Sequence, residues 1–311
     1  MSDNALEAAC QDLIEAFQSR PTMRAGSLIT TVFGDSIAPR GGVVWLGSLI
    51  EAMAGFGVSE RLVRTSVFRL VKDGWLEAEQ IGRRSFYSLT EEGSERFRAA
   101  THRIYGEPAN DWQGSWCLLL LTGLNAVTRD LVRKECGWLG FGAVSTNLLA
   151  HPGPDMPDLT ATLKRLGVED EVVVMTDCMS QSDGPMRRIV RESWKLDEID
   201  KRYADFIAMF EPTMAALDST KERSPRTAFL VRTLLIQEYR KILLRDPHLH
   251  DDLLPADWHG KAAYALCRDI YRELYGPANV YLTESMQTAD GPLPDADPET
   301  ADRFGGLKDD R

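Results

Sequence analysis

The sequence predicts an α+β fold in three successive parts, and three observations predict it. Residues 59–73 read as one capped, basic helix followed by two short strand-like runs around a Gly-Arg-Arg turn. From Trp112 the texture changes to short apolar runs alternating with amphipathic stretches. After Gly184-Pro185 helical periodicity returns and holds to Tyr275.

Taken in order, Ala5–Arg20 places Leu6, Ala9, Leu13 and Phe17 at helical spacing and predicts a leading helix. Gly26–Ile37 predicts another, ended by the break Ala38-Pro39-Arg40-Gly41-Gly42. Val44–Ala54 is a third apolar-periodic stretch, and Gly55-Phe56-Gly57 turns the chain after it. Ser59 is an N-cap residue whose hydroxyl can accept from an unpaired backbone N–H, and Glu60 suits the positive end of the helix dipole. Leu62, Val63, Val67, Leu70 and Val71 form the buried stripe, and Gly74 is the C′ stop. Trp75–Gln80 and Ser85–Leu89 read as a hairpin around Ile81-Gly82-Arg83-Arg84, and Thr90 caps the helix that leaves it.

At 100° per residue, Arg61, Thr65, Phe68, Arg69 and Lys72 lie opposite the apolar stripe, with Arg64 on the flank. A solvated face normally mixes signs, whereas this helix keeps its acids at the ends. Helix, glycine turn, basic helix and arginine-tipped hairpin in that order predict a winged helix-turn-helix over residues 23–108. The expected DNA contacts are Arg61, Arg64, Thr65, Arg69 and Lys72 from the helix and Arg83 and Arg84 from the wing. The alternative is an ordinary basic surface helix beside a hairpin.

In the middle part, Trp116–Leu121 is a continuous apolar run of the kind a buried strand shows. Asn125–Cys136 reads as a helix, Ala143–Leu149 as a strand, Asp158–Leu166 as a helix stopped by Gly167, and Glu171–Thr176 as a strand. That β-α-β-α-β order predicts a ferredoxin-like domain over 111–181. Gly137-x-x-Gly140-x-Gly142 follows a helix and precedes a strand, the reverse of a phosphate-binding loop, and reads as a turn.

The last part predicts a helical domain over 186–279, built from Arg188–Met214, Pro225–Leu244 and Lys261–Tyr275. Residues 1–22 precede the winged part as a separate N-terminal segment. Residues 283–311 are acidic, rich in Pro and Gly and poor in aromatics, which predicts a disordered tail.

The net charge of −11 argues against nucleic acid only until its distribution is read. Residues 1–20 hold four acids and one arginine, and residues 277–311 hold eight acids and three bases, so the tails carry most of it. Groove binding needs a local basic surface, not a basic chain. No run of 18 apolar residues occurs, which predicts no membrane span, and the start of the chain lacks a secretory pattern. The five scattered cysteines, none in a CxxC, predict free thiols and a cytoplasmic protein.

His248, His250 and His259, with Asp246, Asp251, Asp252 and Asp257, match no zinc spacing, so no metal is expected. No P-loop, G-x-S-x-G or Cys/His nucleophile pair stands out, and Asp130, Glu135 and Asp177 form no arguable pair. These absences favour a DNA-binding protein that is no enzyme and needs no cofactor, and the alternative is an enzyme, an acyl-CoA hydrolase or nuclease, with an accessory winged helix.

The chain resembles the PaaX family of transcriptional repressors of phenylacetic-acid catabolism. The residues that carry the resemblance are Gly57–Arg61, Val63-Arg64-Thr65, Arg69–Leu76, Gly82–Thr90, Gly140-Phe141-Gly142, Arg245-Asp246-Pro247 and Leu253–Trp258. It implies the three-part architecture, a homodimer on double-stranded operator DNA, and release by an aryl-CoA thioester such as phenylacetyl-CoA. Two positions depart from it: Phe68 stands where a small residue is expected and His250 where proline is expected. Residues 186–276 hold sixteen Lys/Arg against fifteen Asp/Glu, so cations for coenzyme A phosphates are available there. Arg232, Arg240 and Arg245 are the expected phosphate clamp and Trp258 the expected aromatic wall, the alternative being a solvated face paired with Glu238. Trp112, Trp138 and Trp194 line a pocket or fill core.

Overall fold

The computed structural model describes residues 3–20, 25–106, 112, 114–180, 183–220 and 222–307. The boundaries expected at 22, 108, 111 and 181 fall outside these. The chain divides into two compact units: Met1–Glu107 with Ala204–Lys241 and Lys261–Arg311, and Pro108–Tyr203 with Ile242–Gly260. The expected helical part 186–279 is thus no body of its own.

The first unit opens with α1 (Asp3–Gln18) and α2 (Ala25–Val32), which runs on through a wider turn over Phe33–Ile37 and a 3-10 turn at Ala38–Arg40. Next come β1 (Val43–Trp45), α3 (Leu46–Ala54) and α4 (Glu60–Lys72). Strands β2 (Leu76–Ile81) and β3 (Arg84–Leu89) and helix α5 (Glu91–Tyr105) follow. β3 lies between β1 and β2, antiparallel to both, with Val44 opposite Tyr87 and Glu79 opposite Phe86. The sequence reads Val44 as helix. The β-branched pair Val43-Val44 instead takes the strand conformation that β3 offers, in a segment too short to show alternation.

The second unit holds β4 (Ser115–Leu120), α6 (Ala126–Trp138), β5 (Gly142–Ser145), β6 (Leu148–His151), α7 (Met156–Leu166) and β7 (Val173–Met179). Its sheet is antiparallel in the order β5-β6-β4-β7. The stretch expected as one strand over 143–149 is a hairpin, because Thr146-Asn147 turns the chain between β5 and β6. One face of the sheet and the two helices enclose Leu119, Val132, Cys136, Leu149, Leu159 and Leu163. Gly142 packs against the Trp194 indole, where a Cβ would come within 2.5 Å of the ring. The Trp194 Nε1 donates to the Gly140 carbonyl at 2.8 Å, so the glycine-rich stretch is a packing turn.

Helix α8 (Asp183–Ser193) is followed by a turn at Trp194-Lys195, where the Lys195 φ of 53° breaks what the sequence reads as one helix, and α9 (Leu196–Ser219) begins after it. Helix α10 (Pro225–Leu243) buries every residue from Thr227 to Gln237, including the polar Thr227, Arg232, Thr233 and Gln237, so it is enclosed on all sides. Phe229 stands edge-on to Phe56 and stacks on Tyr281, with centroids 5.9 and 4.7 Å away. That burial makes α10 the spine of the first unit and explains why no separate helical body forms. Helix α11 (Gly260–Ser285) continues through Pro277, ten residues beyond its expected end at Tyr275.

The expected disordered tail is ordered through Leu307. Strands β8 (Gln287–Thr288) and β9 (Gly291–Pro292) pair, and a 3-10 segment spans Pro298–Gly305. Leu293, Arg303 and Phe304 are buried. Acidic composition describes the exposed residues here, whereas these buried anchors hold the segment down.

Candidate nucleic-acid interface

Helix α4 is built as its sequence requires. The Ser59 hydroxyl accepts from the Leu62 N–H at 3.4 Å, and Gly57 turns the chain with a φ of 74°. That left-handed φ favours glycine, and a Cβ there would also displace the Gln18 amide, which donates to the Phe56 carbonyl. Val63, Ser66 and Val67 are buried, Leu62, Leu70 and Val71 half-buried, and α2 packs on the helix.

That packing leaves Arg61, Arg64, Thr65, Phe68, Arg69 and Lys72 exposed. The Arg64 guanidinium forks onto Glu60 at 2.7 and 2.8 Å and the Thr65 hydroxyl donates to the Arg61 carbonyl. Arg61, Arg69 and Lys72 have no acidic partner among the described residues. Phe68 is 69% exposed in the middle of this face. A helix of 13 residues is about 20 Å long, and one with open cations along one side can enter a major groove.

The hairpin places its two arginines differently. Arg83 is exposed in the two-residue turn between β2 and β3. Arg84 is the first residue of β3. Its guanidinium lies 4.5 Å from the centre of the Trp45 ring and donates to the Gln287 side chain at 3.3 Å. Arg84 is therefore half committed to the fold. The sequence could not show this, because Gln287 lies in the segment expected to be disordered.

The residues expected to hold an effector do not assemble as one clamp. Arg232 is fully buried. It pairs with Asp35 at 3.1 Å and donates to Ser36 and Asn279. No side of it is open to a ligand, which corrects its place in the expected clamp. Asp35 also accepts from the Tyr105 and Tyr271 hydroxyls, each at 2.8 Å, and from Arg303 at 3.0 Å. Burial alone would push the Asp35 carboxyl up. Arg232, Arg303 and the two hydroxyls overcome it and hold the group below its ordinary range.

Arg240 is half-buried and donates to Ser27 at 3.2 Å, while Arg245 is exposed. Trp258 is half-buried and edge-on to Tyr203, centroids 5.6 Å apart. Trp194 is buried in the same apolar cluster, whereas Trp138 is 71% exposed and belongs to no core. Among the described residues no group of three or more His, Cys, Asp or Glu could hold a metal ion. The five cysteines are free, and no helix is long and apolar enough to cross a membrane among the described residues.

The family descriptions "PaaX-like protein" and "PaaX-like protein C-terminal domain" match residues 24–93 and 194–284. The chain is 40% identical to Transcriptional repressor PaaX of Escherichia coli (strain K12) over 284 residues, covering 90% of each. The structure of the uncharacterized protein Rv0674 from Mycobacterium tuberculosis superposes with a TM-score of 0.50 at 22% identity, covering 74% of this chain and 88% of that one, a likeness of fold alone. The extent and identity of the Escherichia coli match, with both family descriptions in place, make this chain a member of the PaaX family.

Proposed function

We propose that the chain is a cytoplasmic, non-enzymatic repressor of a phenylacetate-type catabolic operon, released from its operator by an aryl-CoA thioester. The observation that carries the reading is the open basic face of α4, flanked by the Arg83 turn, in a member of the PaaX family. The segment from α2 to β3 is a winged helix-turn-helix, with α4 in the major groove and Arg83 on the phosphates of the adjacent groove. The β-α-β-β-α-β unit with strand order β5-β6-β4-β7 is a ferredoxin-like sandwich.

The repressor is a homodimer. One winged helix reads few bases, and a two-fold protein reads a pseudo-palindrome. The edge strand β7 supports this, with Val173, Met175 and Met179 at 56, 44 and 75% exposure. An exposed apolar edge is a template for pairing with a second chain.

Genomic footprinting of the sites bound by the purified protein, with and without phenylacetyl-CoA, tests the reading. Discrete sites at aromatic-acid catabolic genes, vacated when the thioester is added, are expected. Absence of any preferred site would overturn it.

A further inference from the structure

Helix α8 turns Met186, Val190 and the following Trp194 toward an apolar cluster that includes Leu196 and Leu253. Helical geometry then sends Arg187, Arg188 and Arg191 to the other side, where all three are exposed. They border a cavity of about 320 Å³ whose floor is Leu196, Leu253, Leu254 and Pro255. Arg191 pairs with Asp197 at 2.6 Å. Arg187 and Arg188 pair with no acid among the described residues, although Glu192 lies one turn on from Arg188. The pocket combines free guanidinium forks with an apolar floor, and both parts lie within the second unit.

That combination selects a ligand with anionic groups at one end and an apolar arm at the other. Guanidinium forks match phosphate oxygens in bidentate geometry. The volume is at the lower end of the range of small-molecule sites, about 300–1,000 Å³, and suits one arm of a large ligand. We propose that this pocket is the effector site: the aryl-acyl arm of a coenzyme A thioester lies on Leu254 and Pro255, and Arg187 and Arg188 hold its phosphates. The proposal rests on the reading that the effector is an aryl-CoA thioester, and it moves the site from Arg232 and Arg240 to α8. A DNA backbone is the other polyanion that arginines attract, but it has no use for a concave apolar floor.

Calorimetry with phenylacetyl-CoA on the full chain tests this, beside operator gel shifts without ligand. The Arg187→Ala/Arg188→Ala variant, changed only at exposed positions, should bind phenylacetyl-CoA at least tenfold more weakly than the natural chain and bind the operator equally well. Leu254→Asp, which charges the floor, should weaken the thioester likewise. Unchanged thioester affinity in both variants would remove the pocket and leave the effector reading standing. No binding of the thioester by the natural chain would remove both. Weakened operator binding by the arginine variant would assign α8 to the DNA interface instead.

Discussion

Arg303 and Asp35 stand 268 positions apart in sequence and 3.0 Å apart in the fold, and both are buried. Through this pair the end of the chain is locked to the segment that follows α2. Arg303 also donates to the Asp35 backbone carbonyl at 3.0 Å and to Tyr271 at 2.6 Å. Phe304 beside it packs its ring on Tyr105 and Tyr271. The unit that carries α4 is therefore completed by residues nearly 300 positions along the chain.

Asp35→Ala should destabilise this unit strongly. It would leave Arg232 and Arg303 buried without their shared anion, and removing one partner of a buried ion pair costs about 3–5 kcal/mol. Because the Asp35 carboxyl is held below its ordinary value, its contribution is present at neutral pH and is lost as acid carries the pH below the usual carboxylate range. Urea unfolding at neutral pH checks both this variant and a chain cut after Asp297, which should be destabilised as well. An unchanged midpoint in either would show that the pair does not support the unit.

His151 gives a second pH dependence, in the other unit. Burial pushes its imidazole down to about 4, and its Nδ1 accepts from the Gly153 N–H at 2.9 Å. An unfolded histidine titrates near 6.5. The unfolded chain thus takes up a proton between about pH 6.5 and 4 that the fold refuses, and stability falls as the pH drops through that window. His151→Gln should flatten the slope of the unfolding midpoint there, and an unaltered slope would assign the dependence elsewhere.

Phe68 should read thymine. It is the apolar group in the middle of the α4 face, and a thymine methyl is the apolar feature of the major groove. Burying one methyl contributes about 0.8 kcal/mol, or about fourfold in affinity. Replacing the operator's thymines by deoxyuridine should weaken the natural chain by about that factor and leave Phe68→Ala unaffected. Equal losses in the two proteins would place Phe68 away from the methyl groups.

The dimer should depend on the edge of β7. Met175→Lys puts a charge on that exposed strand, and charged edges resist pairing. Light scattering should show the natural chain as a dimer at micromolar concentration and the variant shifted toward monomer. A variant as dimeric as the natural chain would move the interface elsewhere.

Helix α4 was legible because every signal for it is local: the Ser59 cap, the 62–71 apolar stripe, the Gly57 and Gly74 turns. Arg232 was not. Its neighbours in sequence suggest a helix face with an arginine to spare, and its real partners, Asp35, Ser36 and Asn279, come from distant segments. The order of the tail is hidden for a related reason, since one buried arginine and one buried phenylalanine outweigh a composition dominated by exposed acids. Strand β1 carries too few residues to show a period, and β5 and β6 are each only four residues long. In the hairpin, the turn was plain, but the commitment of Arg84 to Trp45 and Gln287 depends on pairing across the unit.

DNA reading by the protein depends on the α4 face, and the Arg61→Ala/Arg69→Ala variant tests that most directly. A bidentate arginine–guanine contact contributes about 1–3 kcal/mol of discrimination. Gel shifts on a footprinted operator and on unrelated DNA, at two salt concentrations, should show specific affinity falling by tenfold or more while non-specific binding falls less. Arg83→Ala should weaken both and flatten the salt dependence, as loss of a phosphate contact does. Unchanged operator affinity in the Arg61→Ala/Arg69→Ala variant would contradict the assignment of α4 as the helix that reads DNA.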